Sequence, residues 1–172
     1  IIKKINKKEE LDDSNKYIFE ICGSYRREKP FSNDIDVLIT KNGKYNESIN
    51  HLKMFVDKLK KPIKENDNKV FLVDDITDKN IETKYMGFSK YKDNHIRRID
   101  IRFIPHSSYY YALLYFTGSG DLNKKMRQIA KKKGLKLSEY GLTDKDGKIL
   151  KANSERDIFK HLDIEYLPPK LR

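Results

Sequence analysis

The sequence predicts an α+β chain, a mixed sheet with helices followed by a smaller α+β unit, and three observations carry that expectation. Residues 97–104 alternate, with Ile99, Ile101 and Phe103 apolar and Arg98, Asp100 and Arg102 charged, the period of a half-buried strand. Ile49, Leu52, Phe55, Val56 and Leu59 recur instead at helical spacing, as do Leu122, Met126, Ile129 and Ala130. Pro105 then marks a boundary that divides the chain into 1–105 and 106–172.

In chain order, the charged residues 1–13 read as the end of a helix and 17–22 as a short apolar strand that Gly23-Ser24 breaks. A brief basic turn or helix over 26–30 leads to a buried strand at 35–40 and a turn at Asn42-Gly43-Lys44. An amphipathic helix over 48–60 follows, then strands at 70–73, 83–88 and 97–104, the last two joined by the polar turn Lys92-Asp93-Asn94. Beyond Pro105, residues 108–116 are tyrosine-rich and of helix length, ended by Thr117-Gly118-Ser119-Gly120. Asp121 is placed to cap a helix running from 122 to about 133, where Gly134 stops it. Short strands around Asp146-Gly147 and a last amphipathic helix at 155–162 complete the tail.

The 172 residues suit one ordinary domain or two small subdomains. A hydrophobic content of 37% with 11 Tyr and 8 Phe supplies a core and argues against general disorder. A net charge of +11 favours a polyanionic partner, nucleic acid before a membrane surface, although the same field also serves solubility. The single cysteine, Cys22, excludes an internal disulfide and a cysteine zinc cluster, and its apolar surroundings suit a small buried side chain. No apolar stretch reaches the ~18 residues of a membrane span, so a soluble intracellular protein is expected. The chain opens on Ile1 rather than Met, which points to residues before it.

The chemistry is written in three places. Asp34-Ile35-Asp36 puts two carboxylates on one face of a strand entrance, where they repel unless a cation lies between them or solvent separates them. Asp100 supplies a third carboxylate, flanked on its own face by Arg98 and Arg102; alone it suits a salt-bridged edge strand equally well. Gly23-Ser24 ends a strand and exposes backbone N–H groups and a hydroxyl, with Arg26 and Arg27 following, a set suited to phosphate oxygens. Three carboxylates are what phosphoryl transfer with two divalent ions requires. Gly-Ser with Asp-x-Asp ten residues on is the spacing of nucleotidyltransferases. His51, His95, His106 and His161 have no metal-ligand spacing and are read as surface or structural.

Together, GSYRR, DIDVLIT, RRIDIRFIP, YYYALLYFTGS and NKKMR, with NSERDIFKHL and PPK near the end, resemble the family X DNA polymerases of the polymerase beta type over essentially the whole chain. The compact size and the EYGL segment resemble the smallest viral members. The resemblance implies a nucleotidyltransferase palm over 1–105 and a nucleotide-selecting thumb (or fingers) subdomain over 106–172. By it, Asp34, Asp36 and Asp100 hold two Mg2+ ions, Mn2+ being able to substitute, and Asp100 favours deprotonation of a primer 3′-hydroxyl. Ser24 and Arg27 bind the triphosphate of a dNTP with backbone help from Gly23 and Asn33, although the family usually has Gly where Asn33 stands. Tyr115, Phe116 and Gly118 pack against the nucleotide sugar, and Asn123 meets its minor-groove edge. Lys124 and Arg127 contact the template, while Thr83, Lys84 and Arg98 contact the primer side. Arg102 resembles an arginine that trades partners between a metal-ligand aspartate and the pair matching Glu139-Tyr140. Gly120 stands where close relatives carry an acid. No segment matches the lyase domain or helix-hairpin-helix modules usual in the family, so lyase activity is not expected.

The function so implied is template-directed addition of dNTPs to a DNA primer by a two-metal mechanism, filling short gaps in base excision repair as a monomer. The alternatives are template-independent nucleotidyl transfer and a DNA-binding palm whose chemistry is lost. All three carboxylates being present weighs against the latter, and Tyr115, Phe116, Gly118 and Arg127 weigh for DNA and a template.

Overall fold

A computed structural model describes residues 2–43, 46, 48–77 and 80–172; Lys44 of the expected turn lies outside them. The chain forms two compact units, residues 1–20 with 33–106 and residues 21–32 with 107–172.

The first unit is built on a five-stranded sheet in the order β1-β2-β5-β4-β3, from β1 (Tyr17–Ile21), β2 (Asp34–Lys41), β3 (Leu72–Asp75), β4 (Lys84–Ser89) and β5 (Arg97–Phe103). Strand β2 runs parallel to β5, whereas β4 is antiparallel to both β5 and β3, so the sheet is mixed as expected. The alternation read in 97–104 is realised: Ile99, Ile101 and Phe103 are buried, while Arg98, Asp100 and Arg102 are half-buried on the other face. The buried set packs with Ile39, Tyr85 and the apolar stripe Leu52, Phe55 and Val56 of α3 (His51–Leu59). The helix begins later than its pattern suggested because Asn50 caps it, its side chain accepting from the Lys53 N–H. A short α1 (Ile2–Lys8) precedes the sheet, and its Ile5 joins the same core.

His51 is structural. Its ring stacks on Phe103 at 5.0 Å, its Nδ1 lies 2.6 Å from the Tyr17 hydroxyl, and its Nε2 lies 3.1 Å from the Asn46 carbonyl. Gly87 in β4 sits where a Cβ would stand 2.2 Å from the Tyr85 hydroxyl and 2.6 Å from the Asp74 carbonyl. That hydroxyl donates to Asp75 Oδ1 at 2.6 Å, so it is not free to swing aside.

In the second unit, α2 (Gly23–Arg26), α4 (Tyr109–Thr117), α5 (Gly120–Lys132) and α6 (Glu155–His161) accompany a hairpin of β6 (Lys136–Ser138) and β7 (Gly141–Thr143). Tyr111, Leu114, Met126, Ala130, Leu142, Ile158, Phe159 and Leu162 form its core. Helix α5 starts earlier than expected, and its cap is Ser119, whose hydroxyl accepts from the Leu122 N–H. Asp121 instead occupies the exposed first turn, where its charge complements the helix dipole. Cys22 is buried, as its surroundings suggested.

Residues 21–32 pack with the second unit. Glu155 of α6 is the reason: Arg26 Nη2 donates to its Oε2 at 2.7 Å, and Arg172 Nη1 donates to its Oε1 at 2.6 Å. No helix among the described residues is long and apolar enough to cross a membrane.

Candidate active site

The parallel register of β2 and β5 sets Asp34 opposite Arg98 and Asp36 opposite Asp100. Neighbouring strands lie about 4.8 Å apart and same-face residues of one strand about 6.6 Å apart. The four side chains therefore form a small rectangle on the sheet face away from the α3 core, with three carboxylates and one guanidinium at its corners. Met86, the partner of Asp100 in β4, borders it on the far side with a half-buried apolar side chain.

Arg98 sits across the ladder from Asp34 and one row before Asp100, and it engages both. Its Nη2 lies 2.7 Å from Asp34 Oδ2, and its Nε lies 3.3 Å from Asp100 Oδ1. The second contact is a meeting of charges rather than a hydrogen bond: both atoms are shielded from water, and neither has a hydrogen-bond partner among the described residues. A buried carboxylate oxygen without a donor is costly unless a cation faces it.

The donor set fits a hard divalent ion in type, since carboxylate oxygens are what Mg2+ accepts. In their present positions, however, no group of three or more His, Cys, Asp or Glu side chains among the described residues is close enough to enclose a metal. The guanidinium of Arg98 holds two of the three carboxylates. Thr83 and Lys84 lie exposed at the start of β4, the Thr83 carbonyl accepting from the Phe103 N–H at 3.0 Å. Arg102 follows Asp100 on the same face, opposite Lys84. Asn33 is exposed just before β2.

The second unit carries the other expected residues. Gly23 opens α2 with φ +58, a left-handed conformation that favours glycine, so the predicted turn is realised as a helix start. The Ser24 hydroxyl lies 2.7 Å from that of Ser32 and closes the loop between them. Arg27 Nη1 donates to the Thr117 carbonyl at 2.5 Å, while its buried Nε has no hydrogen-bond partner among the described residues. Gly118 follows with φ +71; a Cβ there would stand 3.1 Å from Arg27 Nη1, and the Gly118–Ser119 peptide is cis. Arg27 and the Tyr115-Phe116-Thr117-Gly118 bend are thus brought together.

Arg26, read from sequence as a second phosphate gripper, is committed elsewhere. Besides Glu155 it donates to Thr117 Oγ1 at 2.7 Å. Glu155 and Arg172 were not singled out from sequence; a lone Glu in an N-terminal helical turn and a distant Arg gave no signal of meeting. Burial pushes the Glu155 carboxyl up, but hydrogen bonds from Arg26 and Arg172 outweigh it and hold it below its usual value.

On α5, Asn123 Nδ2 donates to the Tyr115 carbonyl at 2.7 Å, and Arg127 stacks over the Tyr115 ring at 5.7 Å. Lys124 is exposed and pairs loosely with Asp121 at 3.6 Å. Glu139 and Tyr140 form the β6–β7 turn, which the Ser108 hydroxyl secures by donating to the Tyr140 carbonyl at 2.8 Å. Charge is uneven: the second unit carries 17 Lys and Arg against 9 Asp and Glu, the first 20 against 17.

The chain is similar to known proteins over most of its length. Residues 2–106 match the DNA polymerase beta palm, and residues 112–172 match the DNA polymerase beta thumb. DNA polymerase lambda of Rattus norvegicus is 34% identical over 168 residues, covering 88% of this chain and 28% of the relative. DNA polymerase/3′-5′ exonuclease PolX of Bacillus subtilis is 30% identical over 155 residues, covering 90% and 24%. The chain thus spans about a quarter of the length of these curated relatives. A crystal structure of Leishmania infantum polymerase beta in a ternary P/T complex superposes with a TM-score of 0.78 at 29% identity, covering 91% of this chain and 67% of that one. With both subdomain models matched in order along its length, the chain belongs to the family X DNA polymerases.

Proposed function

We propose that this chain performs template-directed DNA nucleotidyl transfer, adding dNTPs to a primer 3′-hydroxyl and filling short gaps during repair. The observation that carries the reading is the set of three carboxylates, Asp34, Asp36 and Asp100, on one face of adjacent parallel strands. The relatives named as DNA polymerases, and a neighbour in a ternary P/T complex, support DNA as the partner.

Asp34, Asp36 and Asp100 would hold two magnesium ions, which when bound polarise the phosphoryl oxygens and neutralise charge developing in an in-line displacement. The rest falls to the chain's own groups. Asp100 favours loss of the primer hydroxyl proton. Arg27, with its spare buried N–H, and the Ser24 hydroxyl receive triphosphate oxygens, helped by the backbone of Gly23 and Asn33. Tyr115, Phe116 and Gly118 fix the sugar, and Asn123 meets the base edge. Lys124 and Arg127 hold the template, with Thr83, Lys84 and Arg98 on the primer. Arg102 would trade a metal-ligand aspartate for the pair Glu139-Tyr140. Positioning of this kind supplies much of the rate in phosphoryl transfer.

The test is primer extension on a one-nucleotide-gapped duplex with each single dNTP and magnesium, beside Asp100→Asn. Wild type should add the templated nucleotide, and Asp100→Asn should be slower by ~10²–10⁴-fold. Addition regardless of template would replace the proposal with terminal transfer. Failure of both proteins, with DNA still bound, would leave a binding module.

A further inference from the structure

The rectangle on β2 and β5 gives Arg98 more to do than touch a primer. We infer that Arg98 competes with the divalent cation for Asp34 and Asp100, and that a primer phosphate relieves the competition by drawing its guanidinium away. The primer half of this inference rests on the polymerase reading; the competition does not.

The geometry sets the two occupants in competition. Arg98 Nη2 lies 2.7 Å from Asp34 Oδ2 and Nε lies 3.3 Å from Asp100 Oδ1, so one planar group covers an oxygen of each carboxylate. A divalent ion sits about 2.1 Å from such oxygens, which crowds a guanidinium nitrogen on the same oxygen and sets two cations against each other. The two holds are also unequal. The Asp34 contact is short, whereas the Asp100 pair is shielded from water yet makes no hydrogen bond. Asp100 therefore has the oxygen most readily surrendered to a better cation. Register places Arg98 for this role: it stands directly opposite Asp34 and one row before Asp100 on the same face.

A phosphate is the natural third player. Guanidinium binds phosphate oxygens in the same forked manner as carboxylate oxygens. A primer strand that takes Arg98 would thus free two metal ligands at the moment its own 3′ end arrives. Binding linkage is reciprocal, so primer should tighten metal and metal should tighten primer by one common factor.

A competing account treats Arg98 as a scaffold that keeps three like charges together. The two accounts predict opposite signs. Free Mn2+ is titrated by electron paramagnetic resonance against wild-type protein, Arg98→Gln and Arg98→Lys, without DNA and without turnover. Competition predicts that Arg98→Gln binds Mn2+ more tightly by roughly tenfold, the worth of two partly exposed charge pairs. Arg98→Lys, which keeps the charge but cannot span both carboxylates, should fall between Gln and wild type. Weaker binding in Arg98→Gln would overturn the inference in favour of the scaffold. A Lys variant equal to wild type would overturn it in favour of a plain field effect.

The second arm repeats the titration with a gapped duplex bearing a dideoxy-terminated primer, subtracting DNA alone. The duplex should tighten Mn2+ binding to wild type several-fold more than to Arg98→Gln. Equal tightening would overturn the primer half and leave the competition standing. Because the first arm needs neither DNA nor nucleotide, its result is independent of whether the chain polymerises.

Discussion

Glu155 offers the sharpest test of how the second unit is held together. Its carboxylate is 7% exposed and bridges two guanidinium groups, Arg26 at 2.7 Å and Arg172 at 2.6 Å. Arg172 has no exposed side-chain area, and that of Arg26 is 18% exposed. Glu155→Gln keeps the shape and one acceptor oxygen but leaves two cations facing a neutral amide. Removing one partner of a buried ion pair costs ~3–5 kcal/mol, and the retained acceptor puts the expected loss near the lower figure. For a chain of this size ~3 kcal/mol corresponds to a fall in Tm of about 6–12 °C.

Thermal unfolding followed by circular dichroism at pH 7 measures it directly. The pH profile adds a second readout. Because the folded carboxyl is held below its usual 4.5, the unfolded chain binds its proton first on acidification. The stabilisation is therefore complete above about pH 4.5 and lost as pH falls through the folded value. Glu155→Gln should flatten that acid arm. A Tm within ~2 °C of wild type, or an unchanged acid arm, would refute the claim that this triad fastens residues 21–32 to the second unit.

Two further changes probe the first unit. Gly87→Ala forces a methyl against the Tyr85 hydroxyl and the Asp74 carbonyl, and urea unfolding should register a loss of about 1–3 kcal/mol; an unchanged midpoint would contradict the packing. His51 is held below its usual 6.5, first by burial, with Lys41 adding to it against the opposing Asn46 carbonyl and Glu9. Its neutral form is thus native, and stability should decline as pH falls below about 6.5, where the unfolded chain takes up the proton first. In His51→Gln that decline between pH 7.5 and 5 should be smaller, whatever the variant's stability at pH 7.5.

The face of each strand residue was legible because a period of two needs no knowledge of partners. Asp34 with Asp36, and Arg98 with Asp100 and Arg102, could be sorted to one side of the sheet from spacing alone. What spacing could not supply was register. That Arg98 lies opposite Asp34, rather than merely near Asp100, follows only from the parallel pairing of β2 with β5. The α5 cap was misplaced because Ser119 and Asp121 both have capping side chains, and local sequence does not rank them. The attachment of residues 21–32 to the second unit was illegible for a different reason. It depends on Arg26 meeting Glu155, 129 positions away, and no periodicity connects such a pair.

The parallel pairing of β2 with β5 also sorts the changes in length that the chain can absorb. Asp36 and Asp100 are neighbours on the sheet although 64 positions separate them in sequence. Lengthening a flexible connection between them adds only ~0.6 kcal/mol of closure entropy for each doubling of the loop. Losing a single residue inside β2 is another matter. Loss of Ile35, for example, would turn every side chain beyond it to the other face, sending Asp36 toward the core of Leu52 and Phe55 and Val37 out opposite Asp100. Insertions in the connections are therefore compatible with the carboxylate arrangement, while the spacing from Asp34 to Ile39 admits none.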